Sequence, residues 1–168
     1  MISETAATSP IVAALQQESS SWLLHADVAL GELTLEVQPD RIIHVCRFLR
    51  DERHFERVST ITAVDRYPAE PRFELVYHLH SLSLNERVRV KTRVPSSNPS
   101  LESATAVWAG ANWYEREVFD LFGIEFRNHP KLERILMPEG WDGHPLRKDY
   151  PVHGHRYDYA GAEGGNAE

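Results

Sequence analysis

Three groups of side chains in this 168-residue chain have types and spacings that could do chemistry. Glu117 and Asp120 lie three apart in a helix-like stretch, and such a pair could divide general-acid and general-base roles. That work needs a nucleophile, a metal set or an oxyanion motif beside it, and none stands near. His78 and His80 alternate along an extended run and could begin a zinc site, as could His153 and His155. No set of cysteines and histidines at suitable spacing completes either pair. Arg87, Arg89, Lys91 and Arg93 form a basic strip of the kind that can hold RNA on a sheet. Sheets that bind RNA stack bases on aromatic residues, and this strand has none. A solvated face paired with cross-strand acids such as Glu74 is expected instead. The only glycine-rich stretch is the tail AGAEGGNAE, so no phosphate or dinucleotide cradle is visible.

The elements that must position these groups follow from periodicity. Ser9 and Pro10 suit the cap and first position of a helix. Strands are expected near residues 22–28 and 33–37, then a helix from Pro39 to Glu52, then a strand over 57–65. Phe73, Leu75, Tyr77 and Leu79 alternate with Glu74, Val76, His78 and His80. After a turn at Leu82–Asn85, Val88, Val90, Thr92 and Val94 alternate with the basic strip. The expectation is an α+β fold: a mostly antiparallel sheet with helices on one face and an extended C-terminal arm. Residues 1–127 form the domain, 128–159 the arm and 160–168 a disordered tail.

The single cysteine, Cys46, excludes an internal disulfide and a cluster held by four thiolates of this chain. With Ile42, Val45 and Leu49 it lies on one apolar stripe, so a buried structural thiol is expected. One cysteine fits a reducing compartment. The opening MISETAATSPIVAALQQE has neither a basic leader nor a long apolar run, unlike a secretory or transit segment. No segment approaches the ~18 apolar residues of a membrane span. Net charge is −7, with the arginines dispersed, so bulk attraction to nucleic acid is not expected.

The stretch 110–151, GANWYEREVFDLFGIEFRNHPKLERILMPEGWDGHPLRKDYP, is the most specific. Asn112 suits a helix cap, with Glu115 three residues on as in a capping box. Tyr114, Val118, Leu121 and Phe122 then form one apolar stripe, and Gly123 ends the helix. Arg116 and Asp120 are four apart with the cation first, the weaker orientation. Asp120 lies in the last turn, where the helix dipole disfavours a carboxylate, so a tertiary partner is expected, an arginine before others. Beyond Gly123, Pro130, Pro138, Pro145 and Pro151 prevent a long helix. Yet Leu132, Ile135, Leu136, Met137, Trp141, Leu146, Tyr150, Tyr157 and Tyr159 are too many apolar groups for a free tail. The arm carries six basic and five acidic side chains over 127–159, nearly neutral and fit for burial. It either wraps its own domain or lies on another protein; the second is expected, with aromatic and arginine anchors. An arm so placed could be removed from about Pro138 onward with little change in the melting temperature of the domain.

GANWYEREVFDLFGI, then HP, LERIL and W-x-GHPLRKDYP, closely resembles the 30 kDa (C-type) subunit family of the proton-pumping NADH–quinone oxidoreductase, respiratory complex I. The likeness is dense over residues 107–151, with weaker echoes in TAVDRYP and VKTRVPSSNPSLESATAVW. It implies an accessory subunit with no catalytic residues and no redox centre of its own, FMN, iron–sulfur clusters, NADH and quinone residing in partner subunits. It implies docking on the D-type subunit, which helps form the quinone site, within a hetero-oligomer. That assembly is expected to be peripheral to the cytoplasmic face of a bacterial inner membrane, membrane contact coming only through the complex. The family motif maps a partner interface onto Glu115, Arg116, Glu117, Asp120, His129, Pro130, Arg134, Trp141, His144, Pro145, Leu146, Arg147, Lys148, Asp149 and Tyr150. Equivalent subunits serve membrane-bound hydrogenases and other complex-I-like dehydrogenases. From other classes, a sheet-based RNA-binding module and a small carboxylate-dependent hydrolase are the alternatives.

Overall fold

The computed structural model describes residues 2–151. His153, His155, Tyr157, Tyr159 and the tail from residue 160 lie outside the described residues.

A short helix α1 (Glu4–Ala7) and α2 (Pro10–Glu18) precede strands β1 (Leu23–Ala29) and β2 (Glu32–Val37). A 3-10 turn (Pro39–Arg41) leads into α3 (Ile42–Arg53), followed by β3 (Arg57–Asp65), β4 (Phe73–Ser81) and β5 (Glu86–Val94). Then come β6 (Ser100–Glu102), a second 3-10 turn (Ala104–Ala106), α4 (Ala111–Phe122) and β7 (Glu125–Arg127). The long strands lie where alternation places them, because one face is buried and the other solvated.

The main sheet has the order β1-β2-β5-β4-β3. Its pairings are antiparallel except β2–β5, which is parallel. The chain leaves β2, runs through α3 and the β3–β4 hairpin, and returns beside β2 in the same direction. Register sets the faces: Leu35, Val90, Tyr77 and Ile61 point into the core, while Glu36, Lys91, Val76 and Thr62 point out. The inward residues join Val12 and Leu15 of α2, Val45 and Leu49 of α3 and Val118 and Phe122 of α4 in one cluster. Among the described residues, its fully packed members run from Ala6 to Phe126. Cys46 is among them, with burial pushing its thiol pKa far up, as expected of a structural thiol.

Two elements had no periodic signal. β6 and β7 pair in parallel as a separate two-stranded sheet, and three residues are too few to show alternation. After Arg127 the chain has no helix or strand through Pro151.

Candidate functional site

The site is built on α4 and the chain that follows it. Gly110, not Asn112, precedes the helix, and no side chain caps its first turn. The capping-box reading of Glu115 is therefore corrected. Glu115 is wholly buried and accepts from Ser103 Oγ at 2.6 Å and from Ala104 N at 2.6 Å. It ties the 3-10 turn before the helix to the helix itself. Burial raises its pKa to about 7, although both hydrogen bonds pull the other way. His129 lies beside it, with Nε2 3.9 Å from the carboxylate. Its Nδ1 accepts from Lys131 N at 3.0 Å, so Nε2 carries the proton and donates to Asn112 O at 3.3 Å. Burial keeps this ring below its ordinary pKa.

Asp120 has the arginine partner its position demanded. Its Oδ1 accepts from Arg134 Nη1 at 2.7 Å. Its Oδ2 accepts from three successive backbone amides, Ile135, Leu136 and Met137, at 3.1, 2.8 and 2.8 Å. Burial alone would push this carboxyl up; the three amides and Arg134 outweigh it and hold the pKa below the ordinary value. Arg116 does not pair with Asp120. It donates to Glu133 O at 3.0 Å and Arg134 O at 3.2 Å, and it sits over the Trp113 ring. Both charges of the helix are thus spent on the same passing segment.

The motif GHPLRKDYP then completes the C-terminus of α4. A helix leaves its last four carbonyls without partners. Here Phe119 O receives Gly123 N at 2.8 Å, and Asp120 O receives His144 Nδ1 at 2.9 Å and Arg134 Nη1 at 3.4 Å. Leu121 O receives Leu146 N at 3.0 Å, and Phe122 O receives Arg147 Nε at 2.5 Å. Arg147 Nη2 also reaches Gly123 O at 3.3 Å. Cations at this end complement the helix dipole. Gly123 is required twice over. Its φ is +69°, and a Cβ there would stand 2.4 Å from His144 Nε2 and 2.6 Å from Arg147 Nη2.

The last stretch of the arm is locked at the far end of β3. Asp65 accepts from Arg72 Nε at 2.9 Å, Arg72 Nη2 at 2.8 Å, Tyr67 N at 2.9 Å and Lys148 N at 2.8 Å. Arg72 also holds both oxygens of Asp149, at 2.8 and 2.6 Å, and lies over the rings of Tyr67 and Phe73. The hydrogen bonds from Arg72 keep Asp65 far below the usual carboxylate range.

These contacts revise what the arm was expected to do. Arg134, His144, Arg147 and Asp149 are committed to its own domain, and Leu132 packs against the core. Two of its apolar groups stay outside: Leu136 is 59% and Leu146 51% exposed, beside Trp113 at 63% and Tyr67 at 52%. Hydrogen bonds and stacking link these four along one route, Trp113 to Arg116 to the 133–137 segment, then Leu146 on Leu121, then Lys148 and Tyr67 on Asp65.

Among the expected interface residues, Glu115 and Asp120 are fully buried, as is the His129 side chain, so none can touch a partner directly. That part of the expectation is corrected: they hold the arm from inside. Arg116, Arg134, Trp141, His144, Pro145, Arg147 and Tyr150 are half-buried, while Glu117, Pro130, Leu146, Lys148 and Asp149 are exposed. Arg72, Tyr67 and Trp113 were not expected, and Leu136 was named only among the apolar groups of the arm. TAVDRYP pointed at Asp65 and Tyr67; Arg72 had no signal, since it acts from a turn through groups 77 residues away.

The other constellations resolve plainly. Asp120 has both oxygens occupied and points inward while Glu117 points to solvent, so the acid–base pair is not assembled. Three of the four cations of the basic strip are neutralised across strands, Arg87 being the exception: Glu74 receives Lys91 and Arg93 together with Arg66, Glu36 receives Arg93 at 3.6 Å, and Glu32 receives Arg89. His78 stands 3.7 Å from Glu32. No group of three His, Cys, Asp or Glu side chains that could hold a metal occurs among the described residues. No helix among them is long and apolar enough to cross a membrane.

Comparison with known proteins finds relatives for the sequence and for the fold. A relative from Roseiflexus castenholzii, the C-type subunit of NADH-quinone oxidoreductase, is 48% identical over 144 residues, covering 84% of this chain and 83% of its own. The protein of the same name from Geobacter sulfurreducens is 43% identical, covering 83% and 87%. A solved structure described as Nqo5 of the trypsin-resistant fragment (1-134) in P63 form superposes with a TM-score of 0.63 at 30% identity, covering 73% of this chain and 98% of that one. A chain of the membrane-bound sulfane sulfur reductase, an archaeal respiratory membrane complex, superposes at 0.70 and 31%, covering 84% of each. The family model for the respiratory-chain NADH dehydrogenase 30 Kd subunit matches residues 35–156, a span that takes in β3, β4 and β5, α4 and most of the arm, and the chain belongs to that family.

Proposed function

We propose that this chain is the C-type scaffold subunit of an NADH–quinone oxidoreductase and docks through α4 and its arm on the D-type subunit, near the quinone site. One observation carries the reading. The arm has no regular structure, yet its polar groups are pinned to α4 and to Asp65–Arg72, leaving Trp113, Leu136, Leu146 and Tyr67 outward. Ordering irregular chain costs ~1–2 kcal/mol per residue, and a surface held open at that cost is shaped for a partner. Large apolar groups set in a polar frame are the usual anchors of such contacts. FMN, iron–sulfur clusters, NADH and quinone belong to other subunits in this reading, and this chain holds none of them. Its work is positional: it fixes neighbours in a complex peripheral to the cytoplasmic face of a bacterial inner membrane.

The test is Leu136→Asp with Leu146→Asp. Both side chains are exposed, so the isolated chain should melt within a few degrees of the parent, surface changes costing about ±0.5 kcal/mol. Association with the D-type subunit and NADH–quinone activity of membranes should fall together. Full assembly with full activity in this variant would overturn the docking face.

A second reading has an observation of its own. The likeness to a chain of the sulfane sulfur reductase complex places this fold in a respiratory assembly of a different name. In that case membranes lacking this chain would lose activity with an electron acceptor other than quinone. The RNA-binding alternative has lost its support, since four cations of its surface are tied to Glu32, Glu36 and Glu74.

A further inference from the structure

The open face of the sheet is a ladder of paired charges with one row left out. Arg57 of β3 and Arg87 of β5 are exposed and have no carboxylate partner among the described residues. Arg57 is the cross-strand neighbour of His80, and His80 is that of Arg87, so the three stand in one row over three strands. The acids close by are committed elsewhere. Glu56 accepts from Leu82 N and Ser83 Oγ, Glu32 holds Arg89, and Glu86 pairs in register with buried Ser81 on the other face. Only His80 separates the two guanidinium groups, and no carboxylate stands in the row to offset their like charge. Immediately beyond the row, the β4–β5 turn presents Leu82 and Leu84, 60% and 54% exposed.

The position matters. The arm is locked next to Phe73, at the start of β4, whereas His80 is seven residues on, roughly 23 Å along the strand. The unpaired row therefore lies at the opposite end of the sheet from the arm, out of reach of a partner seated there on a few side chains.

We propose that Arg57 and Arg87, with Leu82 and Leu84, form a second docking surface that takes an acidic segment of another subunit, its carboxylates between the two arginines and an apolar residue against the leucines. Charge complementarity selects this occupant: in a chain of net charge −7, an acidic partner is favoured only where cations stand unneutralised. The chain then bridges two neighbours, one at each end of its sheet. This rests on the assembly reading above.

Arg57→Lys with Arg87→Lys keeps both charges and supplies amines that a zero-length carbodiimide joins to carboxylates in contact. In the assembled complex, position 57 or 87 should couple to an Asp or Glu of another subunit and resist a water-soluble amine label that reacts freely with the isolated chain. Arg57→Glu with Arg87→Glu should weaken retention of that neighbour by more than roughly tenfold, with the partner at the arm still bound. Full labelling of both amines in the complex, coupling only within this chain or to nucleic acid, or unchanged retention in the double Glu variant would each overturn the proposal. A chain that enters no complex overturns the assembly reading instead; a complex that forms with the row open to solvent overturns this one alone.

Discussion

Glu115 and Asp120 lie five residues apart on one helix, both fully buried, yet their protons behave oppositely. Asp120 receives four donors, one of them a guanidinium, and keeps its charge. Glu115 has two donors and a neutral imidazole nearby, and burial wins. The sign follows from linkage. A carboxyl whose folded pKa is raised adds stability that is complete below its unfolded value near 4.5 and lost as pH rises to about 7. The whole span corresponds to something on the order of 3 kcal/mol. Chemical denaturation of the isolated chain at pH 5 and pH 8 should therefore show lower stability at the higher pH. Glu115→Gln, which cannot ionise, should flatten that difference; an unchanged pH slope in the variant would place the effect elsewhere. Asp65, held low by Arg72, works in the acid range only, its contribution present above the unfolded value and lost as pH falls through the folded one.

At the scale of elements, α4 and the arm are one unit whose joint is Gly123. The helix needs donors for its carbonyls, and the arm supplies Arg134, His144, Leu146 N and Arg147 in turn. Gly123→Ala would impose ~1–2 kcal/mol of left-handed strain, and its methyl group would occupy the space of His144 and Arg147. The expected outcome is displacement of 144–150 with the core intact. Hydrogen exchange would detect it as loss of protection at Leu146 N and Lys148 N, with little change in β4 and β5. Equal loss throughout would mean that the arm and the domain unfold as one.

For the whole molecule, core and arm divide the labour. Among the described residues, all fully packed apolar side chains fall between Ala6 and Phe126, so a chain ended after Pro138 retains these core side chains. It would also lose the caps on α4 and the Asp149 partner of Arg72. Each neutral hydrogen bond contributes ~0.5–1.5 kcal/mol net, so such a truncation should fold and melt about 5–15 °C lower. This replaces the expectation of an unchanged melting temperature, which took the arm as free of its own domain. A melting temperature equal to that of the full chain would show that these contacts contribute nothing in solution.

The long strands, α3, α4 and the buried thiol were legible because alternation and helical periodicity are local, and burial of one face enforces them. The arginine partner of Asp120 was legible for a related reason: a carboxylate in the last turn of a helix is unfavourable by itself, so something outside the helix had to answer it. Which arginine, and that three amides would join it, could not be read, since Ile135, Leu136 and Met137 act through backbone groups that every residue carries. The role of Glu115 was misread because a glutamate three residues after an asparagine has the same spacing whether the helix begins at 113 or at 111. Only packing against Ser103 and Ala104 separates the two. Arg72 was invisible because its partners lie 7 and 77 residues away. By itself the sequence determined the long elements, the faces of the main sheet and an arm too apolar to be free. Tertiary structure alone decided that Arg134, His144, Arg147 and Asp149 of that arm belong to this chain while Leu136 and Leu146 face outward, because pairing of buried charges depends on distance in space and not on spacing along the chain.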